Sequence, residues 1–444
     1  MSESKIAEFS SNKIYGQKLS VLTLQQSALR KTAWRILPLM IAALLINYID
    51  KNNVGFAAIT MMPDIGITPV QLGWGASLFF IGYCAFDVPS NLALYRYGSR
   101  IWLARIMVTW GIASAAAAFV IGPHSFYSLR LLLGAAEAGF FPGATFLLAC
   151  WFPAAYRARI LSIFLLGAPL SSVIGAPMSG ALFQLGGLGG LHSWQWMFIF
   201  QGLPASVIGI LIYFLLRDDV SEASWLTAAE RVAYAALLQD SAVQGHKSTS
   251  LMALLDWRIL LLGLIEFGFV VGTYGTGVWL PLMLKAYAFS AMQIGWLTAI
   301  PYAVAALGMF VWARFADKSG KHIQNMRWVF VFGSVGFALA ALSFGVGVLI
   351  AGITMAMVAV FAARAIFWSI PTTFLGGKAA AGGLAVINTI GTLGGFVGVL
   401  MIGMLKHSYG TYAAGLWAMA AAFLMSALLA LMMRSTTHTT RQGQ

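Results

Sequence analysis

From Ile36 nearly to the C-terminus, one apolar run follows another, each long enough to cross a bilayer. About 20 mainly apolar residues make one transmembrane helix. A helix that is apolar all round must be covered by lipid or by other helices. With 60% of 444 residues hydrophobic and 9% charged, the chain holds too many such helices for one soluble core. A transmembrane β-barrel needs short alternating segments, and the sequence does not offer them. It therefore predicts an all-α polytopic membrane protein with twelve transmembrane helices. They fall at about 36–60, 71–95, 101–121, 126–151, 158–184, 194–216, 256–284, 291–313, 327–345, 347–372, 380–404 and 411–433.

The longest polar interruption, 217–255, holds Asp218, Asp219, Glu222, Glu230 and Asp240. It divides the chain into an N-terminal tail (1–35), a six-helix bundle (36–216), the linker, a second six-helix bundle (256–433) and a C-terminal tail (434–444). Thr227 followed by Glu230 is a capping-box pattern, which predicts a short surface helix in the linker. Residues 1–34 hold no apolar core of the kind a cleaved signal needs, so the first helix reads as an uncleaved span.

The net charge of +13 invites a nucleic-acid reading, which the placement of the charges excludes. If the N-terminus is cytoplasmic, 21 of the 27 Lys and Arg fall in cytoplasmic segments and only Lys285 and Lys406 outside. That is the positive-inside pattern, with both termini cytoplasmic. The halves also echo each other: "YRYGSR" (95–100) follows span two, and "ARFADKSGK" (313–321) follows span eight. Repeated halves point to a transporter with its site where they meet. Glycines four apart, such as Gly391 and Gly395, suit close helix packing.

Few charges remain inside the spans: Asp50, Lys51, Asp87, Arg105, Arg130, Glu137, Glu266 and Arg364. Such charges are costly at the bilayer centre and are expected to be paired or functional. Arg105, near a helix end, can snorkel. Arg130 and Glu137 are two helical turns apart on one face, at depths that bracket Asp50 and Lys51. Two cations and two carboxylates can thus meet in one cavity. Lys51 and Arg130 are the candidates to attract an organic anion. Asp50 and Glu137 are the candidates to carry a proton, because burial and a nearby cation pull a carboxylate's affinity for protons in opposite directions. In the second half, Glu266 and Arg364 lie about 15 and 13 Å deep by the helical rise, and are expected to form a gating or structural ion pair.

Other chemistries do not compete. Gly376, Gly377 and Lys378 lack the spacing and the Ser/Thr of a phosphate loop. The six histidines show no metal spacing. Cys84 and Cys150 sit in apolar runs and suggest no disulfide framework.

"NYIDKNN" in span one, "LRLLLGAAEAGFFPG" in span four and "HSWQWMFIFQGLP" entering span six resemble the anion:cation symporter family of the major facilitator superfamily. "VPSN" (88–91), "WLP" (279–281) and "FWSIP…INTIGTLGGFVG" resemble its bacterial branch that carries tartrate, rhamnonate and phthalate. The resemblance covers residues 30–433. It implies proton-coupled uptake of a small organic acid anion by alternating access, in the inner membrane, by a monomer with no cofactor and no enzymatic activity. It places the family's buried acids at Asp50 and Glu137 and its span-four cation at Arg130. Cavity aromatics fall on Tyr48 and Tyr83, and further cavity residues on Trp368 and Asn388. Lys51 stands where the family has Arg. The cytoplasmic gating loops contain Arg96, Arg100, Asp317 and Lys321, with Tyr95 where the first loop usually has an acid. Gln201, Leu282 and Thr392 replace the usual Glu, Gln and Asn. Proton-driven efflux of drugs or aromatic compounds is the alternative on the same fold. A transport-dead sensor is a third reading, with no appended signalling domain to support it.

Overall fold

The computed structural model describes residues 3–242, 257–342, 344–368, 370–371 and 377–433. Among these residues every regular element is helical. The linker segment 243–256 and the tail 434–444 lie outside the described residues. The first half comprises α1 (Glu3–Asp64), α2 (Pro69–Tyr97), α3 (Ser99–Ala116), α4 (Pro123–Glu137), α5 (Phe140–Trp151), α6 (Ala154–Leu165), α7 (Gly167–Leu182) and α8 (Ser193–Leu215). The linker carries α9 (Ala228–Ala242). The second half comprises α10 (Trp257–Lys285), α11 (Ala291–Ser319), α12 (His322–Ala341), α13 (Val346–Phe367), α14 (Gly377–Tyr409) and α15 (Ala413–Met432).

Among the described residues, eleven helical segments are long and apolar enough to cross a membrane, counting α4 with α5 and α6 with α7 as one crossing each. The twelfth, α12, has 20 residues. It spans by length, at about 30 Å, but His322, Gln324, Asn325 and Arg327 dilute its first turns. The N-terminal stretch before Ile36 is not a loose tail in the structure, because α1 runs without a break from Glu3 to Asp64.

The packing repeats between the halves. In the first, α3 lies on α8, α2 on α4 and α1 on α7; in the second, α12 lies on α15, α11 on α13 and α10 on α14. The repeat reaches the helix caps. Thr68 and Gln71 form a capping box at the start of α2, and Ser290 and Gln293 form one at the start of α11, its counterpart. Each box satisfies two backbone N–H groups that would otherwise lack partners.

Span four is not one helix. α4 stops at Glu137, Ala138 leaves helical geometry, and Gly139 takes φ +84° before α5 begins. Pro142 has no N–H to bond the Ala138 carbonyl four residues back. Ser90 Oγ donates to that carbonyl instead, at 2.7 Å. The Gly139 N–H donates to Asp87 Oδ1 at 3.2 Å. Asp87, read as one of the intramembrane charges, therefore holds a broken helix.

The halves meet through α1 and α10, α2 and α14, and α7 and α11. The named approaches lie between mid-span and the side away from the linker, here the far side. Gly55 lies against Val278 so closely that a Cβ there would be 2.3 Å from the Val278 carbonyl oxygen. Ser77 Oγ donates to the Phe396 carbonyl at 2.8 Å. The bundles thus close on the far side, with a cavity between them beneath that closure.

Candidate functional site

The cavity lies between α1, α2 and α5 of one half and α10, α13 and α14 of the other. Tyr48 and Lys51 lie about 24 and 20 Å from the far end of α1, Arg364 about 27 Å from that of α13, and Glu266 about 29 Å from that of α10. The four therefore stand at similar depth.

On the first-half wall, Asn47 and Lys51 are one turn apart on α1. Lys51 Nζ lies 2.7 Å from Glu137 Oε1 and donates to Asn47 Oδ1 at 3.1 Å. Asn47 Nδ2 donates to the same Glu137 oxygen at 2.6 Å. The rings of Tyr83, Tyr48 and Phe79 surround the ammonium at 5.2, 5.5 and 5.8 Å from their centroids. Such ring faces stabilise a cation that has little water. Asp50 points the other way, into the bundle. It accepts hydrogen bonds from Trp110 Nε1 at 2.6 Å, from Asn53 Nδ2 at 2.8 Å and from Ser114 Oγ.

Arg130, expected in the cavity beside Lys51, lies behind its wall. Its guanidinium is 5.1 Å from the Phe79 ring centroid, and Phe79 is the residue that faces the cavity. Among the described residues, Arg130 Nε and Nη1 have no hydrogen-bond partner, and Arg130 forms no ion pair, although Asp50 and Glu137 act on it through their charge.

The second-half wall is built differently. Arg364 Nη1 donates to Tyr48 Oη across the half interface at 2.6 Å. Glu266 lines the same cavity, but the expected Glu266–Arg364 ion pair is not formed. Depth and symmetry put the two residues in one place, while Tyr48 takes the guanidinium. Trp368 and Asn388 also line the cavity, as does Thr392. Tyr274 completes the wall, its ring 4.7 Å from that of Phe80.

The sequence reading missed Asn47, Phe141 and Tyr274. Asn47 carried a signal, standing four residues before Lys51 on the same helix face. The loop residues lie at the linker-side turns. Arg96 and Arg100 lie over the rings of Tyr97 and Tyr213, and the Arg100 N–H donates to Asp218 Oδ1 at 2.8 Å. Asp317 and Lys321 are exposed at the matching turn of the second half.

Residues 40–399 match the Major Facilitator Superfamily. The chain belongs to this superfamily. Among superfamily relatives, a protein of Agrobacterium vitis named "Putative tartrate transporter" is 43% identical over 412 residues, covering 92% of each chain. A quinolone resistance transporter of Acinetobacter baumannii is 36% identical over 409 residues, covering 91% of this chain and 94% of that one. An inward-facing, occupied crystal structure of a bacterial homologue of the human lysosomal transporter Spinster has the same fold. Its TM-score is 0.70 at 16% identity, covering 89% of this chain and 96% of that chain.

Proposed function

We propose that this superfamily member is a proton-coupled importer of a small organic acid anion. One observation carries the reading: two cations, one from each half, converge on Tyr48. Lys51 Nζ and the Arg364 guanidinium lie 5.5 and 5.8 Å from the centroid of that ring. A carboxylate bound there would be held by both bundles at once, so its binding would favour states that draw them together. Tyr83, Trp368 and Asn388 would shape the rest of the site. The Agrobacterium relative's name supports a carboxylate cargo.

Coupling follows from Lys51 having two possible partners. In this structure it is paired with Glu137. An anion that draws Lys51 away leaves a buried carboxylate without its cation, which is costly. A proton taken up by Glu137 removes that cost, so anion and proton move together. Asp50, with three donors, is the steadier second acid of this scheme. The proton gradient is the only energy source the scheme needs. The positive-inside pattern supports cytoplasmic termini in a bacterial inner membrane; the cavity then faces the cytoplasm, and the chain works as a monomer.

The test is uptake by proteoliposomes under an imposed pH gradient, across sugar acids, dicarboxylates and aromatic carboxylates. Accumulation of at least one acid, abolished by a protonophore, is expected. If no acid accumulates and a quinolone is driven outward instead, efflux is the function. The Acinetobacter relative's name and the aromatic cavity wall are what favour that second reading.

A further inference from the structure

We propose that Asp87 is a positioning residue for proton coupling: from α2 it keeps span four broken, so that Glu137 stands at the carbonyl end of a helix. This rests on the proton-coupled reading above. Glu137 is the last residue of α4, and Gly139 is the N-cap of α5. A helix ends in carbonyl oxygens and begins with N–H groups, and neither set has partners inside its own helix. Negative charge is therefore disfavoured at the end of α4 and favoured at the start of α5. Glu137 stands at the first and Asp87 at the second. One break thus gives two carboxylates different work, and Glu137 is the one that a proton relieves.

α5 does not cap itself. Gly139 has no side chain to offer, makes no cap bond, and takes φ +84°, a conformation that favours glycine. Both bonds that hold the break come from α2 instead, from residues three apart on one face. Asp87 Oδ1 accepts from the Gly139 N–H at 3.2 Å, and Ser90 Oγ donates to the Ala138 carbonyl at 2.7 Å. Each residue is held in turn. Asn91 Nδ2 donates to the Asp87 carbonyl at 2.9 Å, and Trp102 Nε1 donates to Ser90 Oγ at 3.0 Å. Above the break, α2 and α4 touch backbone to backbone. A Cβ at Gly134 would press on the Phe79 carbonyl, and one at Gly82 on the Leu131 carbonyl. That contact fixes the two helices without Asp87, so removing the carboxylate loosens the break rather than the bundle.

The surrounding charges do not divide the two acids. Lys51 on α1 acts on Asp87, whose titratable neighbours on α2 are Tyr83 and Cys84. Around Glu137 stand Lys51 and Asp50 on α1, Arg130 on α4, Tyr83 on α2 and Tyr274 on α10. Lys51 is common to both, so what separates them is the helix end at which each stands. A carboxylate inside a span is costly, and among the described residues Asp87 forms no ion pair. The cap on α5 is the work that accounts for it there.

The experiment is uptake by proteoliposomes holding the full-length protein, under a pH gradient and, separately, as exchange without one. The probes are gluconate, succinate and benzoate, one from each class above, and the variants are scored on any that the wild type accumulates. Asp87→Leu should cut accumulation about tenfold or more, the scale of a lost hydrogen bond to a charged group, while exchange stays near the wild-type rate. Asp87→Asn keeps an oxygen for the Gly139 N–H and should restore most of the accumulation. Adding Asp87→Leu to Glu137→Gln should cost no further exchange, because Asp87 acts through Glu137. Wild-type accumulation in Asp87→Leu overturns the inference. So does an equal loss of accumulation and exchange, a further loss of exchange in the double variant, or an Asp87→Asn variant as impaired as Asp87→Leu. Should Asp87→Leu fail to fold, Ser90→Ala decides. It frees the Ala138 carbonyl and should lower accumulation about threefold to tenfold with exchange kept; unchanged accumulation overturns the inference. A wild type that accumulates none of the three acids counts against the coupling reading itself, and the role of Asp87 falls with it.

Discussion

The two walls of the cavity share two equivalent pairs of helices, α1 with α10 and α5 with α13, yet one wall is wired and the other is open. On the first-half wall, Lys51, Asn47 and Glu137 bond one another, and Asp50 is held by three donors. On the second-half wall, Arg364 reaches across to Tyr48 and Glu266 Oε2 has no donor. Glu137 Oε2 lacks a donor as well, so the difference lies in the ion pair, which holds both charges in one geometry and is costly to break. Unpaired charges cost the protein something and give a ligand something to satisfy. A duplicated fold has thus divided the labour: the first wall sets and exchanges charge, and the second selects.

The largest effects should follow from cutting the wired wall. Lys51→Met leaves Glu137, with 0% of its side chain exposed, facing Asn47 alone. Removing one partner of a buried ion pair costs about 3–5 kcal/mol. Thermal unfolding in detergent should show that loss, and transport should vanish. Lys51→Met with Glu137→Leu should recover most of the stability and none of the transport. A single Lys51→Met variant as stable as wild type would mean that the pair holds nothing together.

Glu137→Gln is a gentler cut, since the amide keeps the shape and the Asn47 contact. Proton-driven accumulation should fall by at least about a hundredfold, the scale of a lost buried charge contact, while exchange of substrate across the membrane without a gradient persists. Unchanged pH-driven accumulation would remove Glu137 from the coupling.

On the open wall the balance reverses. Among the described residues no carboxylate forms an ion pair with Arg364, and Glu266 feels its charge only through space, so Arg364→Gln should cost the fold about 1.5–3 kcal/mol, the net worth of a hydrogen bond made by a charged group. Anion affinity should nevertheless fall about tenfold to a hundredfold, because the guanidinium supplies a charged, forked contact. Loss of stability with affinity retained would place Arg364 in the wired class and dissolve the contrast between the walls.

How much of this the sequence could reveal depended on direction. The helical rise fixes depth, so Lys51 was legible beside Glu137, and Glu266 level with Arg364. It does not fix which way a side chain turns about the helix axis against its neighbours. Arg130 therefore ended behind Phe79, and Arg364 on Tyr48 rather than Glu266. The break in span four was present as "AGFFPG", but an apolar run containing Gly and Pro also reads as a continuous span. The capping box at Thr227 and Glu230 is formed, with the Thr227 N–H 2.9 Å from Glu230 Oε2. Its further bond to Lys31 joins residues too distant in sequence for any periodicity to connect.

The smallest effect is expected where a fully donated carboxylate has a partner open to water. Glu230, on the linker helix α9, accepts from Lys31 Nζ at 2.7 Å, from Ser27 Oγ at 2.7 Å and from the Thr227 N–H at 2.9 Å. It has as many donors as Asp50. The Lys31 hydrogen bond first, then those of Ser27 and Thr227, hold its carboxyl below its ordinary value of 4.5, at about 2. A depressed folded-state value means stability that is fully present above about pH 4.5 and lost as pH falls toward 2. The Lys31 side chain is 44% exposed, so screening leaves the pair worth under about 1 kcal/mol. At pH 7, Glu230→Gln should speed amide exchange in α9 about two- to fivefold, the equivalent of that free energy. Exchange in α10 to α14 should not change. Compared at matched pH, the gap between variant and wild type should shrink below about 4.5 and close below about 2, where the wild-type carboxyl is itself largely protonated. A far larger effect, or one that spreads into the second half, would show that the clamp between α1 and α9 helps hold the two bundles together, and wiring outside the cavity would then rank with wiring inside it.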